Sequence, residues 1–262
     1  MKPWKMFCAA LLGALCTEAG ATGSFADVAV FDRSEGRRLP VYWHEGRAWV
    51  VGKPRNEYQI AVRNRRGEDL LAVMSVDGIN VITGETASPR QNGYVLSPWQ
   101  PLEVKGWRKS LERTAAFYFT ELPDSYAART ARPDNVGVIG VALFQRKRLE
   151  PPPQDIAPLS RRAMPQASDQ AGAASSAPSE SHSEGRPYRE ERDARLGTGH
   201  GRSEASHARY VSFERASSTP AETVTIYYDS YRNLVARGVI RGPRPYDPAP
   251  RPFPGFVPDP QG

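Results

Sequence analysis

The sequence predicts a mostly β chain. It divides into an antiparallel β-sandwich or jelly-roll-like domain over 40–148, a disordered linker over 149–207, a small C-terminal strand–strand–helix element over 208–242 and a proline-rich tail over 243–262. Three observations predict this. Between Tyr42 and Phe144, short apolar runs alternate with turn residues and helix signals are few. After Glu150 the composition shifts to Pro, Ala, Ser, Gly and charge, which cannot be buried. Apolar alternation then returns at Glu222–Asp229.

The strands follow from local pattern. RAWVVG (Arg47–Gly52) is an apolar run with an aromatic. In EYQIAVRN (Glu57–Asn64), Tyr58, Ile60 and Val62 alternate with Gln59 and Arg63. LLAVMSV (Leu70–Val76) is apolar on both faces and reads as a central strand. INVIT follows it after Asp77-Gly78, a two-residue link that reads as a tight hairpin turn, since glycine takes positive φ freely and aspartate tolerates it. Asp77, Asn80 and Glu85 lack the spacing of a calcium loop. GYVLSP, PLEVKGW, AAFYFTEL and NVGVIGVALF complete the expected sandwich.

The 149–207 stretch predicts a flexible tether with a root-mean-square reach of roughly 40 Å. Beyond it, ARYVSFERAS and ETVTIYYD read as strands. DSYRNLVARG reads as a short helix, capped at Asp229 or Ser230 and ended by Gly238. This piece is too small to hold a core of its own, so it must dock on the sandwich or on another molecule. Strand exchange through Glu222–Asp229 is the second possibility.

The first residues resemble an export signal. Lys2 and Lys5 precede the apolar MFCAALLGAL, and Ala19–Ala21 has the small-x-small pattern of a cleavage site after Ala21. This implies a periplasmic or secreted protein with no transmembrane segment once the signal is removed. Lys2, Lys5 and Glu18 lie in the signal, so the net charge falls from +6 to about +5. Cys8 and Cys16 lie there too, so the mature chain has neither a disulfide nor a thiolate ligand. The charges alternate along the chain, and export adds to the case against nucleic acid; anionic lipid or polysaccharide fits better.

Chemistry-bearing patterns are sparse. His44 is the histidine of the predicted folded region; His182, His200 and His207 fall in the predicted linker. His44 beside Glu45 reads as an exposed strand end, and Glu68/Asp69 and Glu121/Asp124 read as solvated turn pairs. GTGHG (Gly197–Gly201) lacks the Lys-Ser/Thr of a phosphate loop and reads as linker. No catalytic residue, metal ligand or cofactor is assigned. Four residues are candidates for binding. Trp99, in a proline-bounded bend, and Tyr94 suit a protein or a sugar. Arg129 and Arg132, in the basic loop YAARTARPDNVG, suit carboxylates or phosphates.

The stretches VDGINVITGE, GYVLSPWQPLEVKGWRKS and NVGVIGVALF together resemble uncharacterised exported proteins of Gram-negative bacteria. The resemblance implies an envelope location and no activity. The sequence as a whole predicts a non-enzymatic exported sandwich that binds another protein or an envelope component such as a polysaccharide. A carbohydrate-active envelope enzyme or a carbohydrate-binding module is the alternative.

Overall fold

The structure, a computed structural model, describes residues 21–148 and 195–242. The expected signal residues 1–20, most of the expected linker (149–194) and the proline-rich tail (243–262) lie outside the described residues.

Fifteen strands, two short α-helices and two single-turn 3-10 helices are described. In chain order the strands are β1 (Ala21–Thr22), β2 (Ala26–Asp32), β3 (Arg37–Arg38), β4 (Val41–His44), β5 (Arg47–Gly52), β6 (Glu57–Asn64), β7 (Leu70–Val76), β8 (Ile79–Asn80), β9 (Tyr94–Leu96), β10 (Pro101–Val104), β11 (Gly106–Arg108), β12 (Arg113–Glu121), β13 (Val138–Gln145), β14 (Leu196–Ala205) and β15 (Glu222–Ser230). Helix α1 is Tyr126–Arg129 and helix α2 is Tyr231–Ala236. No helix among the described residues is long and apolar enough to cross a membrane.

The strands form two sheets. One runs β1-β2-β6-β12-β11, with β3 on β2, β10 on β6 and β14 on β12. The other runs β4-β5-β15-β13-β7-β8, with β9 on β7. All pairings are antiparallel except β15 with β5, which is parallel. Between the sheets lies one apolar core that includes Val28, Ile60, Phe117 and Phe119 from the first sheet and Val50, Met74, Ile139 and Ile226 from the second. The mostly β reading therefore holds.

Several boundaries move. The sandwich begins before residue 40, because β2 alternates buried and half-buried side chains and pairs β6 over Ala26–Asp32. The expected cleavage point after Ala21 falls within β1. PLEVKGW is two strands, β10 on β6 and β11 on β12, so the chain changes partner at Lys105. The linker expectation is corrected at its C-terminal end: Leu196–Ala205 is a ten-residue strand on β12. Its glycines hide it from a pattern search, because glycine is depleted in strands.

The C-terminal element docks on its own chain. β15 occupies the slot between β5 and β13, so both its edges are paired within the molecule. Of its two expected strands, one forms. Ala208–Ser217 contributes an isolated bridge, Arg215 to Arg146. It covers the outer face of β7 and β13 instead, where Phe213 packs against Leu71, Val73, Ala142 and Phe144, and Arg215 lies 4.2 Å over the Phe144 ring. That cover explains why LLAVMSV is apolar on both faces.

Helix α2 starts as the sequence implies. Ser230 is the N-cap and accepts from the Asn233 N–H at 3.3 Å, Leu234 is buried, and Gly238 ends the helix at φ 73°. Ser230→Ala should destabilise the protein by about 1 kcal/mol. The check is a fall of roughly 2–4 °C in Tm by calorimetry.

Candidate anion-binding site

The site is built around β11, β12, β14 and α1, and a buried hydrogen-bond network fixes the ground beneath it. Asp77 and Gly78 form the β7–β8 turn at φ 53° and 74°, as the two-residue link predicts. The Asp77 side chain does more than close that turn. It is buried, and it accepts from the Gly137 N–H at 2.9 Å, the Thr198 N–H at 2.8 Å and the Tyr228 hydroxyl at 2.5 Å. Thr198 Oγ1 lies 2.7 Å from Tyr228 Oη and 2.6 Å from Tyr58 Oη. Because Tyr228 gives its proton to Asp77, Thr198 donates to Tyr228 and Tyr58 donates to Thr198, so every hydroxyl is satisfied.

Burial raises the Asp77 pKa to about 6, although its hydrogen bonds oppose the shift. Burial, and then the Asp77 charge, holds the Tyr58 and Tyr228 hydroxyls well above the usual phenol range. The network pins β14 to both sheets. It has no opening to solvent: Tyr58, Thr198 and Tyr228 are each 0–1% exposed.

Helix α1 packs against β14 just above this network. Ser125 caps it, accepting from the Ala128 N–H at 3.1 Å and donating to the Leu122 carbonyl at 2.7 Å. The close approach needs a glycine at 197, where an added Cβ would stand 2.6 Å from Ser125 Cβ. Tyr126 then lies between Trp107 and His200, with ring centroids 4.9 and 5.6 Å away. Trp107 is buried and donates from Nε1 to the Gly199 carbonyl at 3.2 Å.

Two cations, Lys109 and Arg129, lie close enough to His200 beside this aromatic floor for their charges to act on it. His200 is paired across β12 with Phe117. Partial burial lowers its pKa, and the charges of Lys109 and Arg129 lower it further. Lys109 follows β11, and Arg129 is in the last turn of α1. All three side chains are exposed, and among the described residues none of them makes an ion pair with a carboxylate. Other exposed arginines do: Arg37, Arg148 and Arg202 pair with Glu35, Glu68 and Glu57. Two neighbouring cations with no carboxylate paired to them among the described residues, and a histidine that becomes a third when protonated, can receive an anion by charge-assisted hydrogen bonds.

The sequence-predicted residues divide. Arg129 belongs to this cluster. Arg132 is spent internally, donating to the Gly84 carbonyl at 3.0 Å and to Thr130 Oγ1 at 3.1 Å. Tyr94 is half-buried; its hydroxyl accepts from Arg108 at 3.2 Å, and the same guanidinium lies 5.7 Å over its ring. Trp99 is 59% exposed at φ 61° in the bend between β9 and β10. That bend is at the Leu70 end of β7, where Leu70 pairs with Leu96, whereas Arg132 and α1 lie beyond its Asp77 end. Tyr94, paired with Ala72, reaches Arg108, whereas Trp99 lies in the bend beyond Leu96, so the four residues do not form one cluster.

Sequence reasoning missed Lys109 and His200. Lys109 carries no local pattern, and His200 sits in the glycine-rich stretch read as linker. The carboxylates weighed for catalysis stand apart. Glu45 lies at the β4–β5 turn with its side chain 80% exposed, 3.8 Å from His44, and Glu68 and Asp69 pair with Arg148 and Arg146. Among the described residues, no group of three or more His, Cys, Asp or Glu is arranged to hold a metal ion. Comparison with protein-family models, with curated proteins and with solved structures finds no match to this chain.

Proposed function

We propose that this chain is an exported, non-enzymatic β-sandwich protein that binds an anionic polysaccharide of the cell envelope. The observation that carries the reading is the proximity of Lys109 and Arg129 to His200 beside the Trp107–Tyr126 floor, with none of the three ion-paired among the described residues. A polymer bearing carboxylates or phosphates offers an anion to Lys109, Arg129 and the His200 ring, and an apolar sugar face to Tyr126. The basic net charge of the chain adds weak long-range attraction. The N-terminal signal pattern supports export, and an envelope location puts such polymers within reach. An envelope protein with an acidic surface loop is the other partner this chemistry fits.

The test is titration of the mature protein, from residue 22 onward, with polygalacturonate and with neutral dextran, each at low and physiological salt. Binding to the acidic polymer alone, weakening with salt, is the expected result. Arg129→Gln and Lys109→Gln should each weaken it about 3- to 5-fold, the effect of one exposed charge. Because both side chains are exposed and make no ion pair among the described residues, the variants should melt with the wild type. Equal binding of dextran, or unchanged affinity in the double variant, overturns the reading.

The bound anion should also raise the His200 pKa. Affinity is then expected to increase as pH falls to and below the ordinary histidine value, because the free side chain is held below it, and His200→Gln should flatten that dependence. The His200 ring signals followed by NMR with and without polymer provide the check.

A further inference from the structure

The segment 195–242 belongs to both sheets, yet its covalent connection to the rest of the described fold runs through 149–194. β15 fills the slot between β5 and β13, pairing through Ile226–Ser230 on one side and Glu222–Tyr227 on the other. β14 pairs β12 along its whole length. Leu196, Val224, Ile226, Tyr228 and Leu234 are buried.

Polar contacts seal the seam between the two pieces. Glu222 accepts from the Ser24 and Phe25 N–H groups at 2.7 and 2.9 Å. Arg33 and Glu204 make two parallel hydrogen bonds at 3.0 and 2.9 Å, and Arg202 does the same with Glu57 at 2.7 and 3.0 Å. Asp77 takes Thr198 and Tyr228 from the segment. The acceptor residues and the donor residues are complementary over main chain, apolar surface and charge.

We propose that the β5–β13 slot and the adjoining edge of β12 form a strand-acceptor site that holds residues 195–242 as a separate polypeptide, so that scission within 149–194 yields a stable two-chain protein. This is β-strand addition on a sandwich that lacks an inner strand. The contacts between the two pieces are made by the described residues and do not require the covalent connection.

The experiment uses the full mature chain with a site-specific protease sequence inserted within 149–194 and cut after folding. Both pieces should co-elute in native size-exclusion at equal stoichiometry and separate in guanidinium. Dissociation or precipitation on cutting overturns the proposal. If the inserted sequence resists the protease, the two pieces are produced together from separate messages, and failure to co-purify overturns it. Tyr228→Phe keeps the ring in the core and loses the bond to Asp77. In the cut protein it should release the segment about tenfold faster, the effect of one buried charge-assisted hydrogen bond. An unchanged release rate shows that the slot is not what holds the segment.

Discussion

Replacing Asp77 with alanine is expected to cost the fold about 3–5 kcal/mol, a large share of the 5–15 kcal/mol by which a protein is usually stable. Three donors converge on this carboxylate. The Tyr228 hydroxyl still has Thr198 beside it, but the part-buried Gly137 N–H and the buried Thr198 N–H have no alternative partner in the network. Each orphaned donor costs about 1–3 kcal/mol. Alanine at φ 53° adds roughly 1 kcal/mol, because the left-handed region disfavours a Cβ. Denaturant unfolding followed by circular dichroism measures the sum. A loss under 1 kcal/mol would mean that water or a rearranged turn replaces the carboxylate.

The same residue predicts a pH dependence whose sign is opposite to that of most carboxylates. The folded protein keeps the Asp77 proton up to about pH 6, whereas the unfolded chain releases it near 3.8. Between those values the folded state binds more protons, so this group's contribution to stability falls as pH rises from about 4 to 6, by roughly 3 kcal/mol in total. Glu57 acts the other way. Its pKa is lowered, first by the hydrogen bond from Arg202, so its contribution is lost as pH falls below 4.5. The difference curve between wild type and Asp77→Asn isolates the Asp77 contribution, because asparagine tolerates the turn and does not titrate. That curve should slope between pH 4 and 6 and be level above 7.

Much of the sandwich was legible because its strands carry their partners' pattern. EYQIAVRN alternates because β6 faces the core on one side, and LLAVMSV does not alternate because β7 is covered on both. The Asp77-Gly78 turn was legible for the same local reason. What was hidden depends on distant sequence. The donors to Asp77 lie 60, 121 and 151 residues away along the chain, and nothing near Asp77 announces them. β14 was hidden by its own composition: after Leu196, LGTGHGRSEA buries glycine and threonine rather than large apolar groups, and at Gly197 Ser125 and Val136 crowd the space beside it. His200 was lost with it, and the cationic cluster is invisible until β14 is laid beside β12. Of the four residues chosen for binding, Arg129 is exposed at the end of the short α1, while Arg132, three residues on, is turned back to Gly84.

A chain that ends at Arg148 is expected not to fold at all. Without β15 the second sheet breaks into a β4–β5 hairpin and a β13–β7–β8/β9 fragment, since β15 is what joins β5 to β13. Five buried apolar side chains leave the core, worth about 1.5–3 kcal/mol each, which together equals or exceeds the whole stability of an ordinary domain. Asp77 loses Thr198 and Tyr228, and the inner edges of β5 and β13 are left open to pair with other molecules. The 15N–1H spectrum of residues 22–148 should be collapsed or absent through aggregation; a dispersed spectrum would show that the second sheet closes without its inner strand. Removing the segment and cutting its connection are therefore different perturbations. The contacts that make the truncated chain unable to fold are retained in full when 149–194 is cut, so one set of residues predicts collapse in the first case and a stable two-chain sandwich in the second.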